Sequence, residues 1–184
     1  MRLFAAIPVS GPARDSLVHR LSEWRATDWP VRWVHDDGLH LTLKFFGEVA
    51  PTQLPSVEAA LRSAVAGVPA LPIAITELGA FPTRGRARVV WVGAEGPPAL
   101  ELLQDGIERK TEALGFPLEG RPFRPHITVG RVRDGARLPS QALEALENDP
   151  SEPVSFLADR LVLYESLLSP RGPRYEPRVI FDLG

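Results

Sequence analysis

The chain has no cysteine among its 184 residues. Disulfides, thiolate metal sites and cysteine nucleophiles are therefore excluded at the outset. Lysine is almost absent as well: Lys44 and Lys110 are the only two, so the positive charge is nearly all arginine. No apolar run approaches the ~20 residues that a helix needs to cross a bilayer. The apolar start, Met1 to Pro8, is too short for a secretory segment and reads as a first strand, which places the protein in the cytoplasm with no membrane partner. Neither His-x-Glu-x-x-His nor Cys-x-x-Cys occurs, so no metal is expected, and no Gly-x-x-x-x-Gly-Lys occurs to support ATP-driven chemistry. The net charge of −2 does not suit a surface built for indiscriminate binding of polyanions. Within that mildly acidic chain the arginines still cluster, at 84, 86 and 88, at 121, 124, 131 and 133, and at 171 and 174. A GC-rich coding sequence explains most of them; a local phosphate-facing patch is the functional alternative.

What the chain does contain is a repeated pattern. From Leu39 to Gly47 apolar and polar residues alternate with a period of two, the mark of a half-buried strand. Leu39, Leu41 and Leu43 take one face, and His40, Thr42 and Lys44 the other. The pattern returns at Pro125-His126-Ile127-Thr128-Val129-Gly130. Around the first motif the periodicities predict a strand over 3–9, a helix over 13–27, a helix from near Pro51 to Gly67 and a strand over 71–78. A glycine- and arginine-rich connection follows over 79–87. Around the second motif they predict a strand over 88–92, a helix over 98–114 closed by Gly115, the motif strand over 123–131 and a helix from Pro139. Strands are then predicted near 154–158, 160–166 and 179–181. Each half reads β-α-β-α-β, and Leu-Pro-Ser heads the helix after each motif, at 54–56 and 138–140. Residues 1–184 are thus expected to form one bilobal domain. Lobe 1 covers about 1–80 and lobe 2 about 87–184, with strands exchangeable between them and a pseudo-twofold axis that faces the motifs across a groove.

Two imidazoles and two hydroxyls at such a groove suit acid–base chemistry at an anion. Histidine's ordinary pKa lies near neutrality, so one ring can accept a proton from water while the other donates to a leaving oxygen. Threonine is a weak nucleophile without an adjacent base, but its hydroxyl is a good donor to an anionic oxygen. Two such donors suit a phosphate with two non-bridging oxygens. These residues alone do not say which histidine gives the proton. His19, within a helix, and His35, in a turn beside Asp36 and Asp37, read as structural or solvated. One His-x-Thr strand arises by chance in many chains; two in matching halves, each followed by glycine, point to one site.

The two motifs, His40-Leu41-Thr42-Leu43-Lys44-Phe45-Phe46-Gly47 and Phe123-Arg124-Pro125-His126-Ile127-Thr128-Val129-Gly130-Arg131, resemble those of the 2H phosphoesterase superfamily. Within it the likeness is to the RNA 2′,3′-cyclic phosphodiesterases, also called 2′-5′ RNA ligases. The opening Arg2 to Pro8 resembles that group's first strand. Leu163-Tyr164-Glu165-Ser166 and Ser169-Pro170-Arg171-Gly172-Pro173-Arg174-Tyr175 resemble its C-terminal signature. The resemblance implies an α+β, LigT-like fold with antiparallel-rich sheets lining a central groove and helices outside. It implies hydrolysis of RNA 2′,3′-cyclic phosphate ends to 2′-phosphomonoesters without metal or cofactor, and 2′-5′ ligation as the reversal. By the same analogy His40 is the proton donor, His126 the proton acceptor, and Thr42 and Thr128 hold the phosphate. Arg124, two residues before His126, is a candidate for a further phosphate contact. Phe45, Phe46 and Phe123 can stack on a base, although core packing is the commoner use. The expected partner is RNA with a cyclic phosphate end, or a small cyclic nucleotide, and the expected state is monomeric. Two other readings compete: a relative acting on small cyclic nucleotides or 2′-5′ oligonucleotides, and a module that binds RNA without turnover.

Overall fold

Two strands with leucine, isoleucine and valine on alternate positions form the middle of the protein, and everything else is arranged about them. The computed structural model describes residues 1–82, 86–150 and 152–184. Arg84, with Thr83 and Gly85, lies outside the described residues, and so does that part of the 79–87 connection. In chain order the elements are β1 (Arg2–Pro8), α1 (Gly11–Arg25), β2 (Val31–Trp33), β3 (His40–Glu48), α2 (Leu54–Val65), β4 (Leu71–Phe81) and β5 (Val89–Glu95). There follow α3 (Pro98–Glu112), β6 (His126–Val132), α4 (Ser140–Glu147), β7 (Val154–Ala158), β8 (Arg160–Leu167) and β9 (Arg174–Asp182). The fold is α+β, and among the described residues every strand pairing is antiparallel.

The strands make one sheet in the order β7-β4-β5-β6-β3-β1-β8-β9, with β2 added beside β6. Each half of the sheet draws on both halves of the chain: β4 pairs with β5 and β7, while β8 pairs with β1. The leucine and valine faces of α2 and α3 pack on each other, α3 also meets β3, and α4 lies on β4. The helices and one face of the sheet share a single apolar core that includes Ile7, Leu41, Leu61, Val92, Ile107, Ile127 and Leu163. Burial of such side chains is worth about 1.5–3 kcal/mol each and drives the assembly.

Several boundaries differ from the periodic reading. Pro51 opens a single 3₁₀ turn over Pro51–Gln53, and α2 begins only at Leu54. The second motif strand starts at His126, not 123, because Pro122 and Pro125 cannot donate to a ladder. The last strand is longer than its apolar core suggested, since β9 runs beside β8 as a hairpin from Arg174 onward. The three-residue β2 has no period to read.

The alternation in β3 breaks at its middle. Ala6 pairs with Thr42 but Ala5 with Lys44, so Leu43 is a bulged extra residue. Lys44 consequently turns away from the open face, where alternation had put it, into the core. Its ammonium lies 2.6 Å from a carboxylate oxygen of Glu108 on α3 and 2.6 Å from the Pro117 carbonyl. The same carboxylate oxygen accepts the Glu119 N–H at 3.1 Å, and Gln104 donates to the other oxygen at 3.2 Å. Phe45 is thrown the other way and is 67% exposed, which corrects its assignment to the core; Phe46 remains in the core against Phe116. The second motif repeats the device: Thr128 pairs with Trp91 but Gly130 with Val90, leaving Val129 as the extra residue. The glycines of the two motifs are not equivalent. Gly47 has φ +70°, whereas a Cβ on Gly130 would lie 2.5 Å from Val31 Cγ1 and 2.7 Å from a ring carbon of Trp33.

The buried Lys44–Glu108 pair generates a stability prediction. Lys44→Met leaves a carboxylate buried without its cation and is expected to cost about 3–5 kcal/mol, read from the urea midpoint. Lys44→Met with Glu108→Leu is expected to recover most of that loss, because an apolar pair replaces a buried ion pair at little cost. A double variant no better than the single one would contradict this account.

Candidate active site

The two motif strands touch through one pair, Leu41 opposite Ile127. Both side chains are fully buried and point to the helix side. Their neighbours therefore point to the open side: extending the antiparallel register by one residue sets His40 opposite Thr128 and Thr42 opposite His126. The four polar side chains form a quartet with the histidines at opposite corners. Flanking strands agree on the facing, for Pro8 and Ala6 of β1 sit beside His40 and Thr42, and Gly93 and Trp91 of β5 beside His126 and Thr128.

Both imidazoles are held in the same way. His40 Nδ1 lies 2.7 Å from the Gly38 carbonyl oxygen, and His126 Nδ1 lies 2.8 Å from that of Arg124. A carbonyl only accepts, so Nδ1 carries the hydrogen and donates in each ring, leaving Nε2 to work on the open side. In both motifs the acceptor belongs to the residue two positions before the histidine. Arg124 thus lies ahead of the strand rather than on it; its carbonyl orients His126, and its side chain is exposed.

The surroundings of the two histidines differ. His126 is exposed, whereas His40 is walled in by aromatic rings. Phe4 lies 4.9 Å from it between centroids, Tyr175 meets it edge-on at 5.1 Å, and Tyr164 stands at 6.1 Å. Desolvation in this box lowers the His40 pKa to about 4; the Gly38 hydrogen bond opposes that shift, and the positive charge of Arg131 adds to it. Burial also raises the pKa of both tyrosines, against the pull of Arg131 and Arg2 on Tyr175 and of Arg160 on Tyr164. The tyrosines are therefore protonated, neutral donors at working pH.

Periodicity found His40, Thr42, His126 and Thr128, and the structure brings these four together. Four other residues share this face: Tyr164 and Tyr175 carried no assigned role, Arg131 was named only within an arginine cluster, and Phe45 as a candidate for stacking or core. Tyr164 and Tyr175 lie in the C-terminal signature but arrive from distant strands. Arg131 reaches the open face only because Val129 is bulged, and Phe45 only because Leu43 is. The bulges put Arg131 and Phe45 at equivalent places, each five residues after its histidine. His19, 3.7 Å from Glu23, is exposed, and so is His35. Among the described residues no group of three or more histidines and carboxylates is disposed to hold a metal ion, and no helix is long and apolar enough to cross a membrane.

The α+β fold with its curled antiparallel sheet matches LigT-like 2H phosphoesterase structures. The model of the 2′-5′ RNA ligase superfamily matches residues 13–169, and the chain belongs to that superfamily. It is 33% identical to the RNA 2′,3′-cyclic phosphodiesterase of Methanothermobacter thermautotrophicus over 184 residues, covering all of this chain and 99% of the relative. An RNA 2′,3′-cyclic phosphodiesterase of Geobacillus stearothermophilus is also 33% identical; the match takes in 98% of this chain and 56% of that protein's length. Among solved structures, Escherichia coli LigT in complex with 3′-AMP superposes with a TM-score of 0.78 at 26% identity, covering 99% of this chain and 97% of the other.

The enclosure of His40 predicts a titration. In the free protein its ring is expected to titrate near pH 4 by NMR, and saturating inorganic phosphate is expected to move that midpoint upward, since an anion favours the imidazolium. The folded pKa lies below the unfolded value of 6.5, so between pH 6.5 and 4 the unfolded chain binds more protons. Stability is complete above that window and falls through it on acidification, by up to about 3 kcal/mol, and His40→Gln flattens the fall. A His40 midpoint near 6.5 in the free protein would overturn the role given to the aromatic box.

Proposed function

We propose that the chain hydrolyses the 2′,3′-cyclic phosphate end of RNA to a 2′-phosphomonoester by acid–base catalysis from two histidines. The observation that carries this reading is the single Leu41–Ile127 pair, which sets the histidines at opposite corners of the quartet. Displacement at phosphorus brings the nucleophile in on one side and expels the leaving oxygen on the other, so it needs proton transfer at two opposed positions. A water molecule attacks phosphorus as His126 Nε2 takes its proton. The bond from phosphorus to O3′ breaks as His40 Nε2–H delivers a proton there, leaving a 3′-hydroxyl and a 2′-phosphate. The Thr42 and Thr128 hydroxyls donate to the two non-bridging oxygens, where negative charge grows. Arg131, whose charge is felt at His40, adds a cation on the same face. The exposed guanidinium of Arg124 is a weaker candidate for the same duty.

The assignment of donor and acceptor follows the family resemblance, and the environment of His40 fits it. The empty groove holds that ring neutral; the substrate's negative charge loads it with the proton that the leaving oxygen needs. Phe45, exposed beside Phe4 at 5.8 Å, offers a face on which the terminal base can stack. The relatives named as RNA 2′,3′-cyclic phosphodiesterases and the nucleotide bound by LigT support this substrate class. Joining of 2′-5′ ends is the same displacement with a 5′-hydroxyl in place of water: it attacks phosphorus, the bond to O3′ breaks, and a 2′-5′ diester and a 3′-hydroxyl result.

The test is incubation with an RNA ending in a 2′,3′-cyclic phosphate in the presence of EDTA, followed by identification of the product. A 2′-phosphate is expected. No turnover, or turnover only when a divalent metal is restored, would refute the proposal. His40→Ala and His126→Ala are each expected to lower kcat at least ~10²-fold, and full activity in either would exclude the two-histidine mechanism.

A further inference from the structure

Beside the quartet, on the same face of the sheet, two arginines stand opposite each other on paired strands. β2 adds to β6 through Val31–Val132, Arg32–Arg131 and Trp33–Gly130. Val31 and Val132 are buried on the helix side, so the side chains of Arg32 and Arg131 share the open side, and both are exposed. Like charges directly across a strand pair repel and destabilise a sheet. Some arginines of the chain are neutralised by carboxylates: Arg20 meets Asp149, Arg25 meets Asp36 and Arg178 meets Glu165. Among the described residues neither Arg32 nor Arg131 has a carboxylate within ion-pair distance. A pair of guanidiniums left facing each other in a chain of net charge −2 is an anion site in waiting.

Its position says which anion. At one end Arg131 bears electrostatically on His40 and on Tyr175. At the other end the β8–β9 turn leans over Arg32: a Cβ built on Gly172 would lie 3.9 Å from Arg32 Cδ. That turn is tied by Ser169, which donates to the Gly172 carbonyl and accepts from the Arg171 N–H; it carries Arg171 exposed, and Arg174, also exposed, lies 3.5 Å from Glu176. A basic path therefore runs from the catalytic quartet along β6, across to β2, and out under the hairpin. Thr128 and Arg131 are three residues apart, roughly 10 Å along an extended strand, and an arginine side chain closes part of that gap. One nucleotide of backbone spans the remainder.

We propose that Arg32, with Arg131, forms a second phosphate subsite that takes the phosphodiester linking the terminal nucleotide of a single-stranded RNA to its neighbour. This rests on the reading of the quartet as the site of the terminal cyclic phosphate and extends it to the strand behind that end. The subsite makes the enzyme prefer a chain to a mononucleotide. Arg32 does not touch the reacting phosphorus; it holds the next phosphate.

The test compares kcat/KM for a nucleoside 2′,3′-cyclic phosphate and for a short oligoribonucleotide ending in the same group, in wild type, Arg32→Ala and Arg32→Lys. Arg32→Ala is expected to lower the ratio of oligonucleotide to mononucleotide kcat/KM by about 10-fold or more, as loss of a charge-assisted contact does. Arg32→Lys is expected to restore part of the ratio, keeping the charge without the planar fork. The salt slope of oligonucleotide binding should shrink by about 0.7 in Arg32→Ala, one phosphate's worth on a single strand. With an uncharged methylphosphonate at the penultimate linkage, wild type and Arg32→Ala should show the same ratio. An unchanged ratio in Arg32→Ala, or a difference that persists on the methylphosphonate, overturns the subsite. If the wild type hydrolyses neither substrate, the proposed reaction fails, and oligonucleotide binding by fluorescence anisotropy still decides: weaker binding by Arg32→Ala supports the subsite, and equal binding overturns it.

Discussion

The face that carries the two histidines and two threonines depends on one backbone pairing between two strands that otherwise part company. Among the described residues β3 pairs with β6 through Leu41 and Ile127 alone, and their side chains are locked in the shared core. A slip of one residue in either strand would turn its histidine and threonine into that core, where an imidazole and a hydroxyl would be buried without partners. The buried hydrophobic pair thus sets the register of the two histidines and two threonines. Further along β6, where β3 has diverged, β2 takes over as neighbour. The backbone bonds from Val34 N–H to the Val129 carbonyl and from Arg133 N–H to the Pro30 carbonyl fasten it at both ends.

The bulges are the second ordering principle. Each motif strand inserts one residue directly after its threonine, Leu43 in β3 and Val129 in β6. Before the bulge the strand offers its histidine and threonine; after it the same face is served by residues of the opposite parity. The two halves use that opportunity differently, with an aromatic ring at Phe45 and a guanidinium at Arg131. A frame built on two similar motif strands therefore carries an asymmetric lining. On the opposite side the bulge delivers Lys44 to Glu108, so one irregularity both shapes the groove and ties α3 and the 117–119 segment to the motif strand.

These facts mark how far the sequence could be read. A period of two is visible in any window of five residues, which is why His40, Thr42, His126 and Thr128 could be named from their neighbours alone. A bulge leaves no trace in a single sequence; Leu43 looks like any strand leucine, so Lys44 and Phe45 were expected on the wrong faces. The ring of Phe4, Tyr164 and Tyr175 joins three strands far apart in the chain, and no local pattern connects them. β2 is too short to have a pattern at all, and Arg32 gains meaning only from the strand laid beside it. Helix positions were legible because apolar stripes such as Val57, Leu61 and Val65 do not depend on long-range partners.

The aromatic walls around His40 tie two equilibria together. If bound phosphate raises the affinity of that ring for a proton, a proton on the ring raises the affinity for phosphate by the same factor, because the cycle of four states must close. Acidification therefore tightens the hold on any phosphate in the groove, the phosphomonoester product included, and the dianionic product gains more than the monoanionic cyclic ester. Under the proposed reaction, the feature that readies the ring for its substrate also sets how readily product leaves, so the pH of fastest turnover would reflect release as well as chemistry.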